Sequence, residues 1–556
     1  MGFVSRVSKN LSGSGSRSYP NNSCKIWRAL LAVLTLLCFN SLAHHNMAGN
    51  EVDRLTVAKQ YVDPAWIPGD WYLNQPIGYQ ALFANIFGRL ADVWGFLVTS
   101  IVGRFFCYFL IASALVFLGR RLGLGLPLLL LVVALFLKKH SAGALEWMIG
   151  PLEAKVLAYG LVLWAVERML NKSYRSMALL LGLATSFHVL VGGYATLTVL
   201  GWIVLRWKTR LPGIHDAVQS VLLYLAGSLF AIGPILRQIN SPHIPTGALQ
   251  PSYIYVFLRN PHHLNPLSWH SWLTLCLYLF LLFVSFGALY RRRPAEELDE
   301  PYKSRSGLFE FTLISMIPFA MGLAIAPFDR QGHFLQYYPF RFGDLMLPLS
   351  TYLLAASALQ DLLVEGSYLT GRTRKGLLLT GVLILGAVYV VEANGFWTDL
   401  SALRQFPGPQ QRVCPDQKEM FAWLKGNTPR DSTIVSCPDL DQFSWLSERA
   451  TIAKLKLMPN TDAAILEWYR RLDDLSGNNS PWKKAGFRGE RDKRLASDYL
   501  SLTTTQVQKL MAKYKADYFL TTVNQKLQLP VAHQNASYVL YRRETSRNDI
   551  PSEHVI

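Results

Sequence analysis

The chain has 556 residues, of which 51% are hydrophobic, 12% aromatic and 17% charged, and its mean hydropathy is +0.19. This composition suits a membrane domain joined to a soluble one. The formal net charge of +18 does not indicate a nucleic-acid partner, because much of the basic excess lies in short connections between apolar runs, where membrane insertion alone explains it. Six cysteines are too few for a disulfide scaffold.

Residues 1–25 are rich in Ser, Gly and Asn, which predicts a disordered cytoplasmic tail. Residues 26–394 form the predicted transmembrane helical domain, because a run of about 20 apolar residues spans a bilayer as a helix. Eleven spans are predicted, at about 26–42, 95–118, 124–137, 152–170, 177–190, 194–205, 218–236, 272–289, 309–325, 345–363 and 376–391. The first is predicted to be a retained anchor, although Ser41-Leu42-Ala43 also resembles a signal-peptide cleavage site.

Lys and Arg gather in every second connection, and this excess marks the cytoplasmic loops of membrane proteins. The alternation predicts a cytoplasmic N-terminus, a long first outer loop over residues 44–94, and an extracytoplasmic C-terminus. Lys138-Lys139 is the exception, since these two cations fall on the predicted outer side. The outer connections hold most of the acids, histidines and aromatic-proline segments, so we expect the chemistry on that side.

Residues 395–556 contain no run apolar enough to span and are predicted to form a small extracytoplasmic α/β domain. Its predicted elements are helices at 420–425 and 463–475, a loop at 476–493, a helix capped by Thr503 or Thr504 and ending near 513, and strands at 433–436, 516–520 and 538–541. Cys414 and Cys437 each begin a Cys-Pro-Asp triplet. Outside the cytoplasm they could form a disulfide or remain two free thiols.

Glu51-Val52-Asp53 follows the first span closely. Two carboxylates two positions apart could bind a divalent cation such as Mg²⁺ or Mn²⁺ through oxygen ligands. One of them could instead act as a general base on an acceptor hydroxyl. The alternative interpretation is an ordinary solvated loop, since acid-x-acid triplets are common.

Further candidates lie at the outer ends of later spans. Glu153 and Lys155 lie at the outer end of the predicted span 152–170, where ionisable residues are costly and tend to be paired or functional. Lys155 could hold a lipid phosphate together with Lys138 or Lys139, or simply extend its ammonium to the interface. His188 could hydrogen-bond a phosphate or sugar, or be an ordinary packed histidine next to a glycine-rich corner at 192–193.

The predicted outer loop 329–344 carries a dense set of polar and aromatic residues. Arg grips phosphate with paired donors, which makes Arg341 the first candidate for a donor phosphate and Arg330 the second, with His333 nearby. The alternative is an ion pair that closes the loop, either Asp329 with Arg330 or Arg341 with Asp344.

A polytopic chain with an acid-x-acid motif after its first helix resembles the GT-C superfamily of membrane glycosyltransferases, which use polyprenyl-phosphate-linked donors on the outer face. Several segments also look like a group of uncharacterised bacterial membrane proteins: His45-Asn46, Asp63-Pro64, Ile67-Pro68-Gly69-Asp70-Trp71, Leu152-Glu153-Ala154-Lys155, Phe187-His188 and Tyr338-Pro339-Phe340-Arg341-Phe342. This resemblance implies a GT-C-like fold more firmly than an activity. It implies that Glu51 or Asp53 is the catalytic acid/base or a metal ligand.

These observations predict an integral glycosyltransferase of the bacterial plasma membrane. It would transfer a sugar from a polyprenyl-phosphate donor to an outer-face glycan, lipid or protein acceptor. A transporter or flippase of lipid-linked sugars is the first alternative, although such proteins place their sites near the bilayer midplane. The second alternative is a GT-C-like scaffold without catalysis that serves envelope assembly.

Overall fold

The computed structural model describes residues 23–44, 50–240, 249–291, 300–364, 413–456, 458–479 and 488–544. These residues form a mostly helical domain followed by a small mixed α/β domain. Residues 1–22 of the predicted tail and the whole of the predicted eleventh span lie outside the described residues.

The helical domain contains thirteen helices of nine residues or more among its described residues. They are α1 Ser23–His44, α2 Asn50–Val62, α3 Ala81–Arg121, α4 Leu126–Lys138, α5 Ala154–Leu170, α6 Tyr174–Phe187, α7 Val189–Leu205, α8 Ile214–Gly227, α9 Leu229–Ile239, α10 Trp272–Arg291, α11 Glu300–Ser315, α12 Ile317–Ile325 and α13 Arg341–Val364. Shorter helical turns occur at Gly78–Gln80, Trp207–Arg210, Pro251–Tyr253, Ile254–Arg259, Pro261–Leu264, Pro266–Ser268 and Leu335–Tyr337.

Ten of the eleven predicted spans coincide with described helices, so the prediction of a helical membrane protein is confirmed. Five helical segments are long and apolar enough to cross a bilayer: Ser23–Ser41, Gly78–Arg121, Trp272–Tyr290, Glu300–Ile325 and Arg341–Leu362. The pair α8 and α9, bent by 67°, would make a sixth span. The shorter helices α4 and α7 are also apolar and correspond to two further predicted spans.

The described part of the predicted first outer loop, residues 50–94, is more helical than its polar sequence predicts. It contains α2, and α3 begins at Ala81, fourteen residues before the predicted start of the span at Gly95. Gly95 interrupts α3 with φ 74° and ψ 169°. Glycine reaches this conformation without steric cost, so the chain can change direction where the predicted span begins.

The corner between α6 and α7 lies at His188, whereas the sequence predicts it at Val191-Gly192-Gly193. The prediction of a glycine corner is therefore wrong. Gly192 serves close packing instead, because a Cβ there would overlap the backbone and side chain of Thr185. Helix α7 therefore begins at Val189, immediately after the histidine.

The C-terminal domain contains a five-stranded sheet with the order β2-β1-β3-β5-β4. Its strands are β1 Thr433–Val435, β2 Ala450–Thr451, β3 Tyr518–Thr522, β4 Val531–Gln534 and β5 Tyr538–Arg542, and its helices are α14 Pro415–Asn427, α15 Phe443–Ser447, α16 Asp462–Leu475, α17 Arg488–Leu500 and α18 Thr504–Lys513. Strand β1 is parallel to β2 and β3, whereas β5 is antiparallel to β3 and β4.

Local signals locate most of these elements. Thr503 caps α18 through a capping box with Gln506, as predicted. The predicted loop 476–493 is wrong from residue 488 onward, because α17 begins there. The sequence of the first half of α17 is charged and has no apolar stripe that would predict a helix. In the second half, Leu495 and Tyr499 are buried in the core of the C-terminal domain.

The two domains share apolar contacts. Ile254 and Leu258, from the helical domain, belong to the same buried cluster as Val435 and Trp468 of the C-terminal domain. A second small cluster joins Trp66 and neighbouring residues of the first outer loop to Ala450 of β2. The first outer loop and the C-terminal domain therefore lie at the same end of the helical bundle.

Close backbone contact between α2 and α3 depends on Gly88, where a Cβ would overlap the backbone oxygen of Ala58. We expect Gly88→Ala to lower the free energy of unfolding by about 1–3 kcal/mol through overpacking. Gly287 in α10 is the matched control, since a Cβ there meets no described atom within 4 Å. Thermal unfolding of the detergent-purified proteins measures both changes, and equal melting temperatures for the two variants would contradict the packing argument.

Candidate functional site

Glu51 lies fully buried at the start of α2 and is bonded on both oxygens. Its Oε1 accepts hydrogen bonds from Ser100 Oγ at 2.7 Å, Arg104 Nε at 3.0 Å and the backbone N–H of Leu152 at 3.0 Å. Its Oε2 pairs with the same Arg104 guanidinium. These bonds join the first loop to α3 and to the segment before α5, which favours a structural role for Glu51.

Asp53 is also buried, with 1% of its surface exposed, but it keeps one oxygen without a hydrogen bond. Its Oδ1 pairs with Lys454 Nζ of the C-terminal domain at 3.1 Å. Lys454 also donates to the backbone oxygen of Asp441 at 2.6 Å. Burial raises the pKa of the Asp53 carboxyl above its usual value, and Lys454 opposes part of this shift.

Asp70 provides a second contact between the domains. It accepts hydrogen bonds from the backbone N–H of Leu73 at 2.8 Å and of Thr451 in β2 at 3.2 Å. The neighbouring Trp71 lies under the guanidinium of Arg471, 4.2 Å from the ring centroid. Burial raises the pKa of Asp70, which the backbone N–H donors partly offset. These bonds hold the C-terminal domain over the first outer loop.

Asp344, in the first turn of α13, organises the segment between α4 and α5. Its carboxylate accepts hydrogen bonds from Ser141 Oγ at 2.7 Å and from the backbone N–H groups of Gly143, Ala144 and Glu146 at 2.6, 2.8 and 3.1 Å. A buried carboxylate with four donors fixes the backbone around it. Asp344 thereby directs the Glu146 side chain toward Arg341 one turn earlier in α13.

Glu146 and four neighbouring residues, Lys155, His188, His263 and Arg341, are here termed the Glu146 cluster. Arg341 Nε and a terminal nitrogen each lie 3.0 Å from Glu146 Oε1. A second terminal nitrogen of Arg341 lies 3.3 Å from His188 Nε2. Lys155 Nζ is 3.8 Å from Glu146 Oε2 and 3.9 Å from Glu153 Oε2.

Aromatic rings close the cluster on two sides. The Arg341 guanidinium lies 3.7 Å from the ring centroid of Tyr338, and Lys155 Nζ lies 3.5 Å from that of Trp147. Such contacts favour a desolvated cation. His263 Nδ1 donates to the backbone oxygen of Ala144 at 2.6 Å.

The charge of the cluster is reflected in the pKa values of two groups outside the predicted spans, Glu146 and His263. Burial alone would raise the pKa of Glu146, but Arg341, His263 and Lys155 together lower it to about 2. Burial lowers the pKa of His263, which the Glu146 charge partly opposes. Glu146 is therefore an anion near pH 7. Oxygens of Glu146 and Glu153 are buried without a hydrogen-bond donor.

Arg54 connects the acidic triplet to the cluster. Its guanidinium hydrogen-bonds Tyr72. Its positive charge is attracted by Glu153 and Asp53 and is repelled by Lys155. Glu51 reaches the same region through its bond to the backbone of Leu152, next to Glu153. The predicted residues Glu51, Asp53, Glu153, Lys155, His188 and Arg341 therefore lie at one end of the bundle.

Arg330 and His333, in contrast, are exposed and contribute no contact to the cluster among those of the described residues. Asp329 accepts hydrogen bonds from the backbone N–H groups of His333, Phe334 and Leu335 at 2.8–2.9 Å. Its carboxylate closes the loop by itself. Neither of the alternative ion pairs forms, since Arg341 binds Glu146 and Asp344 binds the backbone of residues 143–146.

The acidic triplet does not fit a divalent cation in this arrangement. Glu51 is bound to Arg104, and Asp53 to Lys454, so each carboxylate already faces a different positive charge. In the described parts of the chain, three or more His, Cys, Asp or Glu side chains do not converge as a metal-binding group.

Sequence reasoning missed Glu146 and Arg54. Glu146 lies in a short connection with no recognisable motif, and its role depends on two residues almost 200 positions later. The signal available was a single acid in a predicted outer segment between two apolar runs. Cys414 and Cys437, which the sequence left as a disulfide or two thiols, are both free in the structure.

Comparison with known proteins identifies one family model, described as a domain of unknown function (DUF6798), which matches residues 415–475. No curated protein matches the chain. Among solved structures, the chain is similar to the Archaeoglobus fulgidus oligosaccharyltransferase in the apo form, at 11% identity over 90% of this chain and 69% of that chain, with a TM-score of 0.44.

The complex of the same enzyme with Zn and sulfate matches at 10% identity over 90% and 68% of the two chains, with a TM-score of 0.41. The archaeal oligosaccharyltransferase AglB from Archaeoglobus fulgidus, in complex with an inhibitory peptide and a dolichol-phosphate, matches at 11% identity over 89% and 69%, also with a TM-score of 0.41. These values describe a distant likeness, so the functional assignment rests on the geometry of this chain.

The bonds of Glu51 predict a stability effect. Glu51→Gln would leave the Arg104 guanidinium buried without its counter-charge, and we expect a loss of about 3–5 kcal/mol in the free energy of unfolding. Ser100→Ala, which removes one of the hydrogen bonds to Glu51 and no charge, should cost only about 1 kcal/mol. Chemical unfolding of the purified variants measures both changes. A Glu51→Gln protein as stable as the parent would contradict the structural role.

Proposed function

We propose that this chain is an integral membrane glycosyltransferase that transfers a sugar from a polyprenyl-phosphate-linked donor to an acceptor hydroxyl. The observation that carries the proposal is that the cations Arg54, Lys155 and Arg341 converge at one end of the bundle. Asp53, which keeps one oxygen without a hydrogen bond, lies at the same end. Excess cationic charge that is largely withdrawn from water suits an anionic ligand. The apolar helices beside it suit a ligand with a lipid tail.

Lys155 and Arg341 are the proposed phosphate ligands. Lys155 Nζ meets its two carboxylates only at 3.8 and 3.9 Å, beyond hydrogen-bond length, so its donors can turn to a phosphate. Arg341 is held by Glu146 and His188 and stacked on Tyr338. A guanidinium preorganised in this way stabilises negative charge without reorganising during the reaction.

Asp53 is the proposed general base. Of the two acids in the triplet it alone keeps a buried oxygen without a hydrogen bond, and burial raises its pKa. A raised pKa brings a carboxylate nearer to the basicity that proton abstraction requires. Glu51 is less suited, because Arg104, Ser100 and Leu152 use both of its oxygens.

The reaction is then a single displacement at the anomeric carbon. The acceptor oxygen forms its bond to that carbon as the carbon–oxygen bond to the phosphate breaks. The acceptor proton passes to Asp53 Oδ2, and the electron pair of the broken bond remains on the phosphate, where Lys155 and Arg341 stabilise it. Attack opposite the leaving group inverts the anomeric configuration.

In this proposal the protein lies in the bacterial plasma membrane with its N-terminus in the cytoplasm and its C-terminal domain outside. The glycan, lipid or protein acceptor would approach beneath the C-terminal domain, whose Lys454 contacts Asp53. The location of the charges at one end of the bundle favours a transferase over a transporter with a site at the midplane.

The base assignment is tested by two substitutions that break the same ion pair. Asp53→Asn should lower the transfer rate about 10²–10⁴-fold, because it removes the proton acceptor. Lys454→Gln keeps the carboxylate and should retain most of the activity. Because Lys454 lowers the pKa of Asp53, its removal raises that pKa further.

On the acid side of the pH profile, kcat/KM falls because Asp53 becomes protonated and inactive. This fall should therefore occur at higher pH in Lys454→Gln than in the parent. Transfer is measured in proteoliposomes with polyprenyl-phosphate-linked sugar and a membrane extract as the acceptor source. Equal activity of Asp53→Asn and the parent, at equal amounts of folded protein, would remove Asp53 from the mechanism. A scaffold without catalysis would show no transfer in any of the three proteins.

The phosphate site is tested with a matched pair of basic residues. Lys155→Gln should weaken binding of polyprenyl phosphate about 10–100-fold, the equivalent of one charge-assisted hydrogen bond. Arg330→Gln removes the same charge from an exposed position of the neighbouring loop and should leave binding unchanged. Titration of nanodisc-embedded protein with polyprenyl phosphate measures both. An equal loss in both variants would indicate a general surface effect and contradict the assignment of Lys155.

A further inference from the structure

The C-terminal sheet has a feature that ligand-binding α/β proteins share. From β1 the chain passes to β2 on one side and later returns to β3 on the other side, with all three strands parallel. The carboxyl ends of β1 and β3 therefore form a topological switch point. Ligands of open α/β sheets bind in the crevice outside the strands at this point.

A cavity of about 200 Å³ lies at this point. Cys437, Asp439 and Leu440, which follow β1, line one side, and Leu520 to Thr522, the end of β3, line another. Tyr499 of α17 and Tyr538 of β5 complete the wall. The strand order by itself predicts a ligand-binding crevice at this place. The packing of the side chains independently leaves a cavity there.

The lining selects the chemistry of the ligand. Asp439 is the one charged side chain among the described residues that line the cavity, so phosphates and other anions are disfavoured. The Asp439 carboxylate and the Thr522 hydroxyl can bond to ligand hydroxyls, while the half-buried ring of Tyr538 offers flat apolar surface. The volume is below the roughly 300–1,000 Å³ of sites for drug-sized molecules and suits one ring.

The cavity is also connected to the proposed base. Asp441, two residues after Asp439, accepts a hydrogen bond through its backbone oxygen from Lys454 Nζ, which pairs with Asp53. The backbone N–H of Leu455 donates to Pro438 O at 2.8 Å. The segment that lines the cavity is thus bonded directly to the residue that holds Asp53.

We propose that the cavity at the carboxyl ends of β1 and β3 binds a single neutral sugar unit, with Asp439 and Thr522 as its polar ligands. It is a second carbohydrate site, separate from the Glu146 cluster. Its assignment to the acceptor glycan, rather than to the donor sugar, rests on the proposed function. The glycan would enter through the C-terminal domain and extend toward Asp53.

The test uses the full-length protein in nanodiscs and three neutral probes: methyl β-galactoside, methyl α-mannoside and N-acetylglucosamine. Saturation-transfer NMR and calorimetry should detect binding of at least one of them, and glucuronate should bind at least tenfold more weakly than the best neutral probe. Asp439→Asn should weaken that binding about tenfold. Asp431→Asn, at an exposed carboxylate of the same domain, is the control and should leave it unchanged.

The outcomes separate this proposal from the proposed function. Absence of binding by all three probes, equal binding of glucuronate, or binding that Asp439→Asn leaves intact would overturn the sugar site. Loss of transfer in Asp53→Asn would in that case still support the transferase. Conversely, sugar binding that depends on Asp439 in a protein whose Lys155→Gln variant binds polyprenyl phosphate normally would support the cavity and contradict the donor site.

Discussion

The arrangement of this protein depends on the compensation of buried charges at one end of a helical bundle. Ionised groups withdrawn from water are costly unless a partner of opposite charge or several hydrogen-bond donors accompany them. The first turn of α13 supplies both, since Asp344 binds four donors of the segment before α5 and Arg341 binds Glu146. A segment without helix or strand thereby acquires a fixed conformation and presents Glu146 next to Lys155.

The same principle joins the two domains. Lys454, only 3% exposed, is tolerable in its position because Asp53 and the backbone of Asp441 receive its charge. Asp70 in turn accepts the backbone N–H of Thr451. The first outer loop therefore contacts the cation-rich end of the bundle on one side and the C-terminal domain on the other. Residues 51–71 therefore contact both domains.

Much of the fold could be predicted from local pattern. Apolar runs located ten spans that coincide with described helices, and the sequence around Thr503 located a capped helix, because each signal is contained within about 20 residues. The site was predicted in part. Arg341, Lys155, Glu153 and the acidic triplet were found as unusual charges beside apolar runs. Arg330 and His333 carried the same signal and face solvent, while Glu146 carried almost none. Charge and sequence position do not indicate which way a side chain points from an irregular loop.

The sequence by itself determined that the chain is a helical membrane protein with a C-terminal α/β domain, because bilayer insertion and periodicity are properties of short segments. Only the tertiary structure showed that the two acids of the triplet have different partners. In the folded protein Glu51 is paired with Arg104 of α3, and Asp53 is paired with Lys454, some 400 positions later in the chain. Two opposite charges pair when they are close in space, and the tertiary fold sets that distance, whatever their separation in the sequence.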